Sequence, residues 1–223
     1  MSQSSHDTMP LLVSIEGNIG SGKSTALTEL ERRGYTVVRE PIDQWSSTLK
    51  LFYEDPAKYS FLLQARILTE LVRAREAVLR NSLIRHKNNV IFFERSQKGA
   101  KVFVEVAVMN GTMNDAEKET YYRLEETMLE SREYIEKSQV HILIDTPPKI
   151  CCSRTVQRNR GAEQTGPLMS TNEQKLEYLK HLHRTHDKVF PLSECTRVNG
   201  LNSPKTVADD ICNSLYNLKQ PGV

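Results

Sequence analysis

Eight residues near the amino terminus constrain the fold of this chain more than any other feature. Gly17 to Ser24 read G-N-I-G-S-G-K-S, which has the form G-x-x-x-x-G-K-S. The loop follows a short apolar run over 11–15 and precedes good helix formers over 25–33. Backbone N–H groups of such a turn, together with the start of the helix, make an anion site. The sequence therefore predicts a strand, a phosphate-binding loop and a helix, and with them the binding of a nucleoside triphosphate.

The residue types in the loop indicate individual roles. Lys23 is placed to reach the β- and γ-phosphates, and the Ser24 hydroxyl is placed to ligate Mg²⁺. A glycine-rich loop alone is weak evidence because glycine also serves plain turns, whereas a loop with this flanking strand and helix is specific. We therefore expect ATP with Mg²⁺ as the bound cofactor. The predicted phosphate-binding residues of the loop are Gly17, Asn18, Ile19, Gly20, Ser21, Gly22, Lys23, Ser24 and Thr25.

Bulk composition argues against several classes of protein. With 223 residues, 38% of them hydrophobic, the chain is expected to form one domain over 1–223 with its core at 10–218. A net charge of +2 gives no reason to expect nucleic acid or a membrane surface as a partner. The four cysteines lack C-x-x-C spacing, and residues 1–10 lack the pattern of a targeting segment. No run of about 18 apolar residues is present, so a cytoplasmic protein is predicted.

Short apolar runs alternate with longer helical patterns along the chain. Because nearly continuous apolar strands separated by helices are typical of covered parallel sheets, the predicted class is α/β, with a five-stranded parallel sheet and helices on both faces. The expected strands are 11–15, 35–38, 90–93, 140–144 and a weak one at 196–198. The expected helices are at about 24–33, 57–86, 97–110, 115–137, 147–160, 172–189 and 203–218.

Charged residues follow two of these strands, at the edge where ligands bind in open parallel sheets. Glu94 and Arg95 come directly after the third strand, and Glu40 follows the second. Glu94 is a candidate Mg²⁺ ligand, and Glu40 is a candidate base for an acceptor hydroxyl. Arg95 is placed to contact a phosphate or to keep Glu40 charged. The alternative is structural, with Glu94 and Arg95 as a surface ion pair and Glu40 as the cap of a helix.

Arginines cluster at the end of the helix expected over 147–160, beside a polar loop. Arg154 and Arg158 share one helical face, and Arg160 follows where the helix ends. In a phosphate-binding protein this pattern predicts a mobile lid over about 154–172, whose closure would neutralise charge on a transferred phosphoryl group. The alternative is a solvated basic helix end that complements the helix dipole.

The reaction class is narrowed by two absences from the sequence. No N-K-x-D element for guanine recognition follows a strand, and no strand ends in the Asp–Glu pair of a hydrolase. A small-molecule kinase is therefore favoured over a GTPase switch or an ATPase motor.

Five motifs occur in an order that matches a known family. They are the phosphate loop over 15–25, Glu40-Pro41-x-x-x-Trp45, Tyr53-Glu54-x-Pro56 with Tyr59-Ser60-Phe61-x-x-Gln64, Phe92-Phe93-Glu94-Arg95-Ser96, and Arg154-x-x-x-Arg158-x-Arg160-x-x-Glu163-Gln164. Over roughly 11–218 the chain resembles the cellular and viral deoxyribonucleoside kinases, the group that contains deoxycytidine kinase, mitochondrial thymidine kinase and the insect multisubstrate enzyme. The resemblance implies a P-loop kinase fold and a homodimer formed through the helices over 57–86 and 115–137.

The resemblance also implies a role for each matching residue. It makes Glu40 the base that activates a 5′-hydroxyl, and it places Arg95 with Arg154, Arg158 and Arg160 around the phosphates. It implies that Tyr53 and Glu163 hold the sugar, while Gln64 contacts the edge of the base. Residue types alone leave Trp45, Tyr53 and Phe103 evenly divided between core packing and base stacking. The residues implied to bind the nucleoside are Trp45, Tyr53, Gln64, Ile67, Leu71, Arg95, Ala100, Phe103 and Glu163.

Substrate preference is indicated by the expected base pocket. The deoxycytidine-selective members of the family place Arg and Asp near the base edge, where Leu71 and Ala100 align here, with Ile67 alongside. A small apolar pocket leaves room for a thymine methyl group, and Gln64 offers both a donor and an acceptor to a pyrimidine. Pyrimidine deoxynucleosides, thymidine included, are therefore expected over a broad range.

The predicted reaction is the ATP-dependent phosphorylation of a deoxynucleoside to its 5′-monophosphate. One alternative is a nucleoside monophosphate kinase of the thymidylate kinase type, which has a different acid in its phosphate loop and a D-R strand end. The other is a catalytically silent regulatory protein that binds a nucleoside triphosphate. Glu94-Arg95 counts against the first, and Glu40 beside an intact Lys23 counts against the second.

Overall fold

Five parallel strands form the centre of the molecule. The computed structural model describes residues 10–80, 89–130, 139–158 and 170–218. The strands are β1 (Leu11–Glu16), β2 (Thr36–Val38), β3 (Val90–Glu94), β4 (Gln139–Asp145) and β5 (Thr196–Asn199). They form one sheet in the order β2-β3-β1-β4-β5, and all four pairings are parallel. The predicted α/β fold with a five-stranded parallel sheet is confirmed.

Helices connect the strands. Within the described ranges they are α1 (Lys23–Arg32), α2 (Ser46–Glu54), α3 (Pro56–Leu79), α4 (Gln97–Met109), α5 (Asp115–Leu129), α6 (Pro148–Arg158), α7 (Asn172–Val189) and α8 (Pro204–Leu218), with a short 3₁₀ helix at Ile42–Trp45. The sequence pattern did not predict α2, which begins with Ser-Ser-Thr, residues of low helix propensity. Apolar packing stabilises α2 instead, because Phe52 and Tyr53 are buried in a cluster with Trp45 and Leu63.

Alternate residues of each strand face opposite layers of helices. Val13 of β1 packs in one core cluster with Leu27 of α1 and Ile211 of α8. Leu12, its neighbour in β1, packs in a different cluster beside Val78 of α3. Because successive side chains of a strand point to opposite faces, the sheet is covered by helices on both sides, as predicted.

The carboxyl ends of the strands bring the predicted site residues to one edge. In the parallel register, Ile15 at the end of β1 pairs with Glu94 at the end of β3. The last residue of β2, Val38, pairs with Phe93 of β3. The loop after β1, the acid after β2 and the acid that ends β3 therefore lie at the same edge of the sheet.

Several predicted segments extend beyond the described residues. The helices expected at 57–86 and 115–137 are described as far as Leu79 and Leu129. Most of the predicted lid, including Arg160 and Glu163, also lies outside the described ranges. In the part of the chain that the structure describes, no helix combines the length and apolar character needed to cross a membrane.

Candidate active site

Glycines with positive φ shape the phosphate loop. Gly17 has φ 137° and Gly20 has φ 78°, a region that side chains other than glycine rarely adopt. Space is also limiting, because a Cβ on Gly17 would lie 2.7 Å from the carbonyl oxygen of Ile144, and one on Gly20 would lie 2.6 Å from that of Cys151. The glycines therefore let the loop turn tightly against the neighbouring backbone.

The amino terminus of α1 is available to an anion. Gly22 is its N-cap residue, with φ 107°, and no side chain caps the helix there. Lys23 is buried and its Nζ donates to the carbonyl oxygens of Gly17 and Asn18, each over 2.9 Å. Burial and the positive charge of Arg95 lower the pKa of Lys23, while nearby glutamates oppose the shift. Uncapped helix N–H groups and a buried ammonium are the features that bind phosphate.

Not every loop side chain faces a ligand. Asn18 donates through Nδ2 to the carbonyl oxygen of Leu179 in α7 over 2.8 Å and accepts from the N–H of Ile19 over 2.9 Å. These bonds anchor the loop to α7, and the predicted contact of Asn18 with phosphate, which is through the backbone of the loop, stays a prediction. Similarly, the Thr146 hydroxyl donates to the carbonyl oxygen of Ser21 over 2.9 Å. Packing partners distant in sequence hold the loop in place.

Ser24 and Glu94 present two oxygen ligands side by side. The Ser24 hydroxyl donates to Oε1 of Glu94 over 2.6 Å, although the two residues belong to α1 and β3. Mg²⁺ prefers hard oxygen ligands and in nucleotide sites takes one or two from protein, filling its other positions with water and phosphate. The pair fits that pattern, so these are the residues that would hold Mg²⁺ next to the phosphate loop.

Glu40 and Arg95 form a short ion pair in the cavity wall. Arg95 Nε lies 2.6 Å from Glu40 Oε1, and both side chains are 11% exposed. Burial raises the pKa of Glu40; Arg95 and Lys23 oppose this shift, whereas Glu94 adds to it. The net result is a carboxylate with a raised pKa, which makes it a stronger base than an exposed glutamate.

Arg95 has an unusual backbone conformation. Its φ is 65°, one of two positive values at non-glycine positions in the described residues. Its N–H donates to the carbonyl oxygen of Ile15 over 3.0 Å. Its guanidinium carbon lies 4.0 Å from the ring centre of Phe103, a cation–π contact. Phe103 therefore both stacks against the Arg95 guanidinium and lines the cavity.

A cavity of about 760 Å³ joins the phosphate loop to an aromatic pocket. Its volume is within the range of ligand sites. Gln64 is 5% exposed and its Oε1 has no hydrogen-bond partner among the described residues. The predicted residues that the structure brings to this cavity are Ile19, Gly20, Gly22, Lys23, Ser24, Thr25, Glu40, Trp45, Tyr53, Gln64, Ile67, Glu94, Arg95, Phe103, Arg154 and Arg158.

Two residues predicted for the base pocket do not line this cavity. Leu71 is 2% exposed and Ala100 is 0% exposed, so both belong to the interior. Leu71 follows Ile67 by one helical turn of α3, about 6 Å farther along the axis. Of the residues expected around the base, the structure places Ile67 and Phe103 in the cavity wall, and the contact of Leu71 and Ala100 with a base stays a prediction.

The structure adds lining residues that the sequence did not indicate. They include Leu49 and Phe52 of α2 and Tyr178 of α7. Burial raises the pKa of Tyr178 to about 12, which keeps its hydroxyl protonated. The spacing of Leu49, Phe52 and Tyr53 is helical, and this is the signal by which the α2 contribution could have been found.

A smaller cavity shares Gly22, Thr25 and Arg154 with the main one. Its volume is about 200 Å³, and it is bounded by residues of the loop, by Arg154 and by the segment that follows β5. Arg154 donates to the carbonyl oxygens of Ser21 over 3.2 Å and Gly200 over 3.0 Å, so it lies between the two cavities. Of the predicted lid arginines, Arg154 and Arg158 are described, and both border the main cavity.

The sheet order, the phosphate loop after β1 and the edge residues define an α/β P-loop kinase. The sequence model of the family described as deoxynucleoside kinase matches residues 13–213. The chain therefore belongs to the deoxynucleoside kinase family and is a kinase that phosphorylates nucleosides.

Individual proteins show the same relationship. A probable deoxycytidine kinase of fowlpox virus is 32% identical over 179 residues, covering 79% of this chain and 70% of the relative. Deoxycytidine kinase of Rattus norvegicus is 30% identical over 210 residues, covering 83% of this chain and 77% of the relative. The fold is similar to that of a deoxyadenosine kinase from M. mycoides with bound dCTP. The TM-score is 0.73, the sequence identity is 21%, and the match covers 92% of this chain and 99% of that one.

Proposed function

We propose that this kinase transfers the γ-phosphoryl group of ATP to the 5′-hydroxyl of a pyrimidine deoxyribonucleoside, thymidine included, with a broad substrate range. The products are the nucleoside 5′-monophosphate and ADP. One observation carries the proposal: the buried carboxylate of Glu40, with its raised pKa, lies in a cavity that joins the phosphate loop to an aromatic pocket. A base in that position is next to an alcohol bound in the pocket and to a phosphoryl group bound at the loop.

The phosphate donor would lie along the loop and the start of α1. Lys23 would exchange its two carbonyl partners for phosphate oxygens, and Ser24 with Glu94 would hold Mg²⁺. When bound, the metal would neutralise part of the negative charge on the phosphate oxygens. The cavity of about 200 Å³ behind the loop is where the base of ATP would fit, with Arg154 between it and the phosphates.

The acceptor would lie in the pocket formed by α2, α3 and α4. Trp45, Tyr53 and Phe103 supply aromatic walls, and the unpartnered Oε1 of Gln64 accepts an N–H from the base. A pyrimidine offers such a donor at its edge, and the apolar side chain of Ile67 accommodates a methyl group. The fowlpox and rat relatives named as deoxycytidine kinases are consistent with a pyrimidine substrate.

Catalysis would depend on positioning and on charge. Glu40 accepts the proton of the 5′-hydroxyl as the oxygen attacks the terminal phosphorus, and ADP leaves in line. Arg95 keeps Glu40 in place before the reaction and stabilises the phosphoryl oxygens during it. Arg158, at the end of α6, borders the same space and would add positive charge there.

The decisive experiment compares two glutamates that each pair with an arginine. Glu40→Gln should lower kcat by roughly 10²–10⁴ with little change in melting temperature. Glu31→Gln is the matched control, because Glu31 pairs with Arg39 over 2.8 Å at the surface and should leave kcat unaltered. Turnover by Glu40→Gln close to that of the unmodified enzyme would exclude Glu40 as the base.

The pH profile provides a second readout of the same group. Because the pKa of Glu40 is raised and its base form is the unprotonated one, kcat/KM should fall as pH drops through a value above the ordinary 4.5. An acid limb at or below that ordinary value would contradict the assignment.

Substrate class and assembly need their own measurements. Thermal stabilisation by thymidine and deoxycytidine would support the proposal, whereas stabilisation by thymidine monophosphate alone would point to a monophosphate kinase. The single domain, the mobile lid, the homodimer and the cytoplasmic location stay predictions; light scattering at several concentrations tests the dimer.

A further inference from the structure

Buried charged side chains hold both ends of the peptide group that joins Arg95 to Ser96. Nη2 of Arg75 donates to the carbonyl oxygen of Arg95 over 2.8 Å. The N–H of Ser96 donates to Oε1 of Glu16, also over 2.8 Å. Arg75 in α3 and Glu16 in β1 are each 1% exposed. A cation from one element and an anion from another thus orient a single peptide dipole.

This peptide group follows the residue with positive φ described above. A left-handed conformation at a non-glycine residue is strained and persists only where its surroundings determine it. If the peptide rotated, its carbonyl oxygen would turn away from Arg75 and its N–H away from Glu16. The two buried charges therefore favour the conformation that directs the Arg95 side chain at Glu40.

We infer that Arg75 and Glu16 act as a clamp on this peptide group and that Arg75 is a positioning residue for the phosphoryl transfer. The inference rests on the proposed function, since it assumes that Glu40 and Arg95 carry the reaction. Neither Arg75 nor Glu16 lines the main cavity, so both act through the Arg95 backbone and neither touches a substrate.

The surroundings of Arg75 argue against a purely stabilising role. Burial lowers the pKa of Arg75, and the charges of Glu16 and Glu40 only partly oppose this shift. Among the described residues, its Nε has no hydrogen-bond partner. Its guanidinium carbon lies 4.6 Å from the ring centre of Phe93. Burying a charge is costly, and an apolar side chain of similar size is usually tolerated as well or better at such a position. The bond to the Arg95 carbonyl is the feature that an apolar residue would lack.

The absence of a side chain at Gly99 leaves room for the Glu16 carboxylate and the Arg95 side chain. A Cβ at this position in α4 would overlap the Glu16 carboxylate and lie 2.9 Å from Cγ of Arg95. The N–H of Gly99 donates to the Ser96 hydroxyl over 2.9 Å, so the first turn of α4 lies directly against the clamp. Gly99→Ala should therefore displace the same turn even though alanine is the better helix former.

The test uses steady-state kinetics on the full chain with thymidine and ATP. Arg75→Met keeps the volume of the side chain but removes the donor, and it should lower kcat by up to roughly 100-fold. The KM values for both substrates should stay within about twofold, because no contact to either substrate is lost. Arg75→Lys retains a donor and should recover a large part of the lost kcat. Gly99→Ala should reproduce the loss through the other side of the clamp.

Leu68→Ala separates positioning from general destabilisation. Leu68 is in the same helix, is 0% exposed and packs in an apolar cluster of α3, α4 and α5 that includes neither Arg75 nor Gly99. Its loss should therefore lower the melting temperature with kcat retained. Full kcat in Arg75→Met, no recovery by Arg75→Lys, or an equal loss of kcat in Leu68→Ala would overturn the inference. Failure of the proposed function would give a different result: the Glu40→Gln variant would keep its activity, whatever the Arg75 variants do.

Discussion

Replacing Gln64 with methionine is expected to stabilise the empty enzyme and to weaken nucleoside binding. Gln64 is 5% exposed, and its Oε1 has no hydrogen-bond partner among the described residues. Methionine has a similar shape but no polar atom that needs a partner. The free enzyme therefore loses an unsatisfied acceptor, whereas the complex loses a hydrogen bond to the base.

The magnitudes follow from the cost of an unpaired buried acceptor, about 1–3 kcal/mol. Relief of that cost should raise the free energy of unfolding of the empty enzyme, by up to the same amount. Conversely, a base whose N–H finds no acceptor loses about 1–3 kcal/mol of binding free energy, or about 5- to 150-fold in affinity. The KM for ATP should be unaffected, since Gln64 is on α3, whereas the predicted phosphate contacts are on the loop and α1.

The assay combines thermal or urea unfolding with steady-state kinetics for thymidine and deoxycytidine at saturating ATP. Gln97→Met is the matched control, because Gln97 is also buried, at 3% exposed, and its Nε2 has no described partner. Gln97 does not line the main cavity, so its replacement should affect stability and leave nucleoside KM unchanged. An unaltered nucleoside KM in Gln64→Met, or an equal rise for ATP, would refute the placement of Gln64 in the base pocket.

Two further predictions concern acid stability and the metal. Burial lowers the pKa of His186 to about 3, whereas its pKa in the unfolded chain is about 6.5. Because the unfolded chain then binds the proton more readily, the free energy of unfolding is fully retained above about pH 6.5 and decreases as pH falls toward 3. Stability should fall by about 2 kcal/mol from this group between pH 6.5 and pH 5, and urea unfolding of His186→Gln should show a flatter dependence. Ser24→Ala should raise the Mg²⁺ concentration needed for half-maximal activity, as measured by metal titration; an unchanged titration curve would remove the Ser24 hydroxyl from the metal site.

The parts of the site that the sequence predicted are those with local signals. The phosphate loop is one continuous segment, and its three glycines with positive φ, Gly17, Gly20 and Gly22, are needed by the turn itself. Glu40 and Glu94 each follow a predicted strand, and the parallel order of the sheet then brings them to the same edge. Predicting that Glu40 and Glu94 lie near each other therefore required only the strand order, and no side-chain contacts.

Other residues were not predictable because their roles depend on packing between distant elements. The side-chain amide of Asn18 donates to the carbonyl oxygen of Leu179 in α7, a contact that the sequence did not indicate. Arg75 occurs among the charged residues of a long amphipathic helix, and no motif of the sequence singled it out. One signal was present, since Arg75 follows Val72 by three residues and Leu71 by four, on the apolar stripe. An ionisable residue within an apolar stripe is a sequence feature that merits a functional explanation.

The charges at the sheet edge predict a role for the arginines of α6 in nucleotide binding. Without ligand, Glu40 and Glu94 balance Lys23 and Arg95, so the cavity wall has no excess charge in these four residues. ATP with one Mg²⁺ remains an anion, and its arrival would raise the pKa of Glu40 further and repel its carboxylate. The two arginines of α6 that border the cavity are the residues we expect to supply the missing positive charge at the phosphates. Replacing these arginines should therefore weaken ATP binding more than nucleoside binding, as measured by titration of each substrate.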